Sequence, residues 1–142
     1  MITIATRLGI LACRYLVAGY YENRYISAPE IAEYHHMNVR ALMPALRQLT
    51  RAGILHSRTG GNMPGFIFTK SPKEITLLQI FNTLEGHTRF LCCKELVPKL
   101  ACGCSSKKEC EIFLLINKVI KNTTIKLNSI TIADYVEIYN SK

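Results

Sequence analysis

Five cysteines, Cys92, Cys93, Cys102, Cys104 and Cys110, fall within nineteen residues of a 142-residue chain, and the sixth, Cys13, stands apart. Thiolates at that density bind iron–sulfur clusters or Zn²⁺, or act as redox-active thiols. The Cys102-x-Cys104-x5-Cys110 run lacks the paired C-x2-C knuckles typical of structural zinc, but spacing alone does not name the metal, and a cluster, zinc and metal-free thiols all stay open. Burial as small apolar side chains fits poorly in a polar, Lys-containing stretch. Cys13, on an apolar segment, is expected to be packing.

The second set of chemically capable residues is basic. Residues 1–70 carry eight Lys+Arg against three Asp+Glu, and residues 71–142 carry ten against seven, for a net charge of +8. Seven of the eight Arg precede residue 71, whereas every Lys lies at or beyond Lys70. Arg suits bidentate contacts to phosphate and guanine, so this half is a candidate nucleic-acid surface; a well-solvated ordinary surface is the alternative. No Cys/His or Ser/His pairing at a recognisable spacing, no phosphate loop and no paired acid cluster is present, so neither an enzyme nor a small-molecule substrate is expected. There is no run of eighteen apolar residues, and Met1–Arg7 lacks the order of a signal peptide. A cytoplasmic protein without membrane association is expected, which argues against a disulfide scaffold.

These residues need elements to position them. Leu8, Ile10, Leu11, Tyr15 and Leu16 predict a helix over 5–19, followed by a turn through Asn23. Ser27-Ala28-Pro29-Glu30 is a capping box opening a short helix through Tyr34. His35-His36-Met37 is a tight connection with a surface role, and Asn38 caps a helix running to Ala52 and closed by Gly53. Leu42, Ala45, Leu46 and Leu49 form its core face, and Arg40, Arg47, Gln48 and Arg51 its outer face. Pro44 removes one intrahelical bond and is expected to kink it. This is a helix-turn-helix pattern, and the basic outer face is a candidate DNA-reading surface. Strands over 54–58 and 66–70 around a Gly-rich loop form a wing. Gly60 and Gly61 would let its tip approach a sugar-phosphate backbone, and Arg58 would reach a minor groove.

A further helix is capped by Thr76-Leu77-Leu78-Gln79 and stops at Gly86. Residues 87–110 read as an ordered loop; His87 within it is more often solvated than a ligand. A long helix over 109–128 carries Ile112, Ile116, Val119, Ile120, Thr123 and Leu127 on one stripe, widened by Phe113, Leu114 and Leu115. So wide an apolar surface needs two partners, its own domain and a second subunit. The expected fold is mainly α with a small β-hairpin wing. A winged helix-turn-helix domain (1–86) precedes a cysteine-rich sensor loop (87–110), then a dimerisation helix and tail (111–142).

The chain resembles the IscR/NsrR/CymR (Rrf-two) family of bacterial winged-helix regulators over nearly its whole length. The likeness rests on the order and spacing of Ile26-Ser27 through Ile31-Ala32, Leu49 to Leu55, and Ser57-Arg58 entering the wing. Further matches are Pro72 to Ile80, Leu84-Glu85-Gly86 and Ile130 to Asp134. The resemblance implies a homodimer on a palindromic double-stranded DNA operator, with the 38–52 helix in the major groove and the wing along the minor groove. It also implies a [2Fe–2S] or [4Fe–4S] cluster as sensor of redox, iron–sulfur status or nitric oxide. Cys104-x5-Cys110 matches the family's second and third cysteines. Pro98 occupies the position of the first, so Cys92, Cys93 or Cys102 would complete the set. Phe113 and Arg7 stand where some members place a histidine or an acidic ligand.

Overall fold

The computed structural model describes residues 2–86, 108 and 110–140, the last three of these through the helix backbone. Its elements are α1 (Ile4–Tyr21), α2 (Ala28–Tyr34), α3 (Val39–Arg51), β1 (Leu55–Arg58), β2 (Gly65–Phe68), α4 (Leu77–Glu85), α5 (Glu111–Asn128) and α6 (Ile132–Asn140). Leu16, Ile31, Leu42, Leu46, Leu49, Ile80 and Ile132 are fully buried in one core shared by α1, α2, α3, α4 and α6.

Local capping chemistry sets the helix-turn-helix. Ser27 Oγ accepts from the Glu30 N–H at 3.3 Å, and Asn38 Oδ1 from the Arg40 N–H at 2.8 Å. The return arm expected of a capping box at Ser27 goes elsewhere. Glu30 accepts from Arg24 Nη1 at 3.0 Å and from the Tyr15 hydroxyl at 3.2 Å, tying α2 to α1. α3 runs unbroken through Pro44, which is exposed. The Arg40 carbonyl, deprived of its i+4 donor, therefore lies on the outer side of the helix and not against the core.

β1 and β2 pair antiparallel with Leu55 opposite Phe68 and Arg58 opposite Gly65. Ile26 extends this sheet, donating to the Phe66 carbonyl at 3.0 Å and accepting from the Phe66 N–H at 2.8 Å. Gly65 makes the close approach possible: its φ of 152° disfavours side chains, and a Cβ there would run into the Ile26 carbonyl.

Two reciprocal capping boxes meet at the far end of the fold. Thr76 and Gln79 exchange bonds at 3.3 and 3.1 Å, and Thr131 and Asp134 at 2.8 and 3.2 Å. The Thr131 backbone and side-chain donors hold the Asp134 carboxyl below the usual range. The two helix starts are joined by Leu77 N–H to Ile130 O and Ile132 N–H to Ile75 O, both 2.8 Å. Residues beyond 111 thus return to the core of the first 86.

α5 buries no residue completely. Its expected stripe divides: Phe113, Ile116, Ile120 and Leu127 are half-buried, whereas Ile112 and Leu115 are each 62% exposed and Val119 55%. Among the described residues no helix is long and apolar enough to cross a membrane.

The expected surface role of His35 is corrected by its packing. Its ring meets Tyr34 and Tyr15 edge-on at 4.9 and 6.0 Å, and its buried Nε2 has no hydrogen-bond partner among the described residues. Burial first, and then the Arg14 charge, push its pKa below the ordinary 6.5, against a hydrogen bond with the Leu11 backbone. The unfolded chain therefore binds more protons between the lowered value and 6.5. The stability from neutral His35 is full above 6.5 and lost as pH falls through that window. Melting temperature should drop between pH 7 and pH 5, and His35→Phe should flatten the drop. An identical slope in the variant would show that His35 does not titrate this way.

Candidate nucleic-acid interface

At about 100° per residue, Arg40, Pro44, Arg47 and Arg51 share one side of α3, opposite Leu42, Leu46 and Leu49. The three leucines are completely buried and the three arginines exposed, so the core anchors a basic outer face. Ion pairs among the described residues run through Arg24, to Glu22 at 3.2 Å and Glu30 at 3.0 Å. Arg40, Arg47 and Arg51 have no carboxylate partner there, and their charge remains available to an anion.

Arg47, Arg51 and Arg58 line one open groove of about 610 Å³ between α3, the start of α2 at Ser27–Pro29 and the wing at Pro64–Phe66. Arg40 sits in the first turn of α3, away from the groove lining. Gln48 faces Asn82 and Thr83 of α4, in a shallower depression that it shares with Arg51. Gly60 and Gly61 form the wing tip with φ of 81° and 73°, left-handed values that favour glycine.

Arg58 is exposed yet held. Its Nε and Nη2 donate to the Met63 carbonyl at 3.2 and 2.9 Å, and its guanidinium lies 4.3 Å from the Tyr25 ring centre. Sequence reasoning missed Tyr25. The only signal was an aromatic residue just before Ile26, whose pairing with Phe66 spans forty residues.

Of the five clustered cysteines the described residues include Cys110 alone; Cys92, Cys93, Cys102 and Cys104, like His87, lie outside them. Cys110 is the N-cap of α5, 5% exposed, and makes no side-chain capping bond. Cys13 is completely buried, and burial pushes its thiol up to about 12, which keeps it protonated and fits a packing role. Phe113 is half-buried on α5 and Arg7 exposed on α1.

Comparison with known proteins gives a consistent family. Residues 2–138 match the Rrf2 family, described as an iron-dependent transcriptional regulator. No curated protein sequence matches the chain. Among solved structures, IscR of T. potens superposes with a TM-score of 0.72 at 23% identity, covering 98% of this chain and 88% of that one. CymR (YrzC), the global cysteine regulator of B. subtilis, gives 0.74 at 22% identity with 97% of each chain covered. The oxidised form of Staphylococcus aureus CymR gives 0.70 at 20% identity, with 96% of each covered. At these identities the structural likeness shows the fold.

Proposed function

The chain belongs to the Rrf2 family of transcriptional regulators, and on that premise we propose that it is a homodimeric operator-binding protein whose DNA affinity is set by its cysteine cluster. It is a DNA-binding regulator and not an enzyme. The observation that carries the finer reading is the uncompensated arginine face of α3, continuous with the groove that Arg47, Arg51 and Arg58 line. In this reading α3 enters the major groove, with Arg40, Arg47 and Arg51 facing base edges or phosphates and Gln48 on the flank beside α4. The wing lies along the backbone through Gly60 and Gly61, and Arg58 turns to the minor groove.

The test is binding of the purified protein to duplexes selected from a random pool. A good base contact contributes about 1–3 kcal/mol, so Arg47→Ala should weaken selected duplexes roughly 5- to 150-fold without changing the melting temperature. Loss of a phosphate contact would instead weaken all duplexes alike and lower the salt slope by about one. Unchanged affinity and salt slope in Arg40→Ala, Arg47→Ala and Arg58→Ala would remove this face from the interface.

For the sensor, the donor chemistry at Cys110 fits an iron–sulfur cluster. Its sulfur is buried, engaged in no cap, and placed where the free N–H groups of an 18-residue helix begin. Cys104, Cys102 and Cys92 or Cys93 would complete a four-cysteine set. A bound cluster supplies a centre that oxygen, nitric oxide or iron shortage removes. The chain's own part is to tie that centre to α5, which packs on α4 and carries the exposed Ile112, Leu115 and Val119 of the proposed subunit contact. A metal-free thiol switch is the second reading, favoured by the fold shared with a CymR solved in an oxidised form. A zinc-braced module used for protein contacts would show no salt-dependent DNA binding, and the same titrations separate it.

A further inference from the structure

We propose that Tyr25, braced by His56, is a positioning residue of the DNA interface that holds the Arg58 guanidinium at the base of the wing. The inference rests on the reading of Arg58 as a minor-groove contact and concerns what presents it.

The sheet register brings the three residues together. Ile26 bridges Phe66, which sets Tyr25 opposite Ile67, and Ile67 pairs with His56. Tyr25 and His56 therefore flank Ile67 in one row across the three chain segments, and Arg58 lies two residues along the same face of β1. The Tyr25 hydroxyl is 3.0 Å from His56 Nδ1, and the two rings meet edge-on at 71° with centroids 5.9 Å apart. That bond fixes the phenol ring, whose face then receives the guanidinium at 4.3 Å.

Arg58 is thereby constrained on two sides. Its central carbon sits over the Tyr25 ring, and the Nε/Nη2 edge is bonded to the Met63 carbonyl near the wing tip. Of the five N–H donors of a guanidinium, the two on Nη1 take no part in that contact. The ring and the peptide carbonyl are both uncharged, and no ion pair among the described residues involves Arg58. The platform thus orders a long, rotamer-rich side chain without neutralising it. Such a cation, held in advance, suits the enhanced negative potential of a narrow minor groove.

The experiment is a double-mutant cycle on the full-length protein, titrated against its selected duplex and against the same duplex with the wing-facing base pairs changed from A·T to G·C. Tyr25→Leu should weaken the A·T duplex about two- to fivefold, the usual range for an exposed cation–π contact. Tyr25→Phe keeps the ring but loses the bond to His56, and should recover only part of that loss. In an Arg58→Ala background Tyr25→Leu should have no further effect, and on the G·C duplex the Tyr25→Leu penalty should shrink. An equal penalty with and without Arg58 would overturn the proposal by making Tyr25 a general wing support. Unchanged affinity in Arg58→Ala, with Arg47→Ala still weakened, would also overturn it while leaving DNA binding intact. No selected duplex at all would defeat the DNA reading itself.

Discussion

Replacing Ile112 and Leu115 together with glutamate is expected to turn the proposed dimer into a monomer and to weaken operator binding at least 100-fold. Both side chains are 62% exposed on one flank of α5, beside Val119 at 55%, although the helix is 18 residues long and rich in aliphatic residues. Burying an Ile or Leu contributes about 1.5–3 kcal/mol, and a twofold interface counts each residue twice. Introducing carboxylates there removes that gain and adds the desolvation of four charges, well beyond the roughly 2.7 kcal/mol that a 100-fold change represents. Ile116 is a poorer probe because it is half-buried against its own chain, so its loss would confuse assembly with folding. Lys121→Glu, on the opposite side of the helix, controls for charge. Sedimentation reads the oligomeric state directly, and a variant that still sediments as a dimer would place the interface elsewhere. Operator affinity follows because two half-sites about 34 Å apart are engaged strongly only by linked recognition helices.

Much of this architecture was legible because short-range chemistry punctuates it. Ser27, Asn38 and Gly53 mark the ends of α2 and α3 through bonds to residues within three or four positions, and the 3.6-residue period of Leu42, Ala45, Leu46 and Leu49 orients α3 without reference to the rest of the fold. Thr76 and Gln79 made both halves of their box as read. The misses share a different origin. Glu30 satisfies a local rule on paper, but a charge-assisted bond to Arg24 and the Tyr15 hydroxyl outcompete a return bond to a neutral N–H. The Thr131–Asp134 box is local, yet its effect comes from meeting Thr76 across the chain, which carries Ile132 into the core and makes the last segment more than a tail. His35 and Tyr25 depend on packing between distant segments, so their roles leave no periodic trace. The arginines of α3 were predicted as a face; their grouping with Arg58 in one groove, with Arg40 and Gln48 outside it, needed the wing's position.

The largest expected effect on the sensor is complete loss of colour in Cys110→Ser. Anaerobic reconstitution of the wild-type protein with iron and sulfide should give a visible chromophore, which Cys104→Ser and Cys110→Ser should each abolish. Cys13→Ser should keep it. The contrast has a structural reason for Cys110 and Cys13. Cys110 is 5% exposed at the start of α5 without a capping bond, a position from which a thiolate can join a centre built with the preceding stretch. Cys13 is enclosed by the core, and with its thiol pushed up to about 12 it has neither the charge nor the access of a ligand. Iron and sulfide content measured alongside the spectrum distinguishes a cluster from zinc. Colourless wild-type protein with no bound iron would end the cluster reading. Reversible loss of operator affinity on thiol oxidation, abolished by Cys110→Ser, would then establish the thiol switch. In either case the signal would enter at the N-cap of the helix that carries the proposed subunit contact. A change there that rotates α5 by even a few degrees would displace the distant recognition helices relative to one another, and the fixed half-site spacing of an operator converts that displacement into affinity.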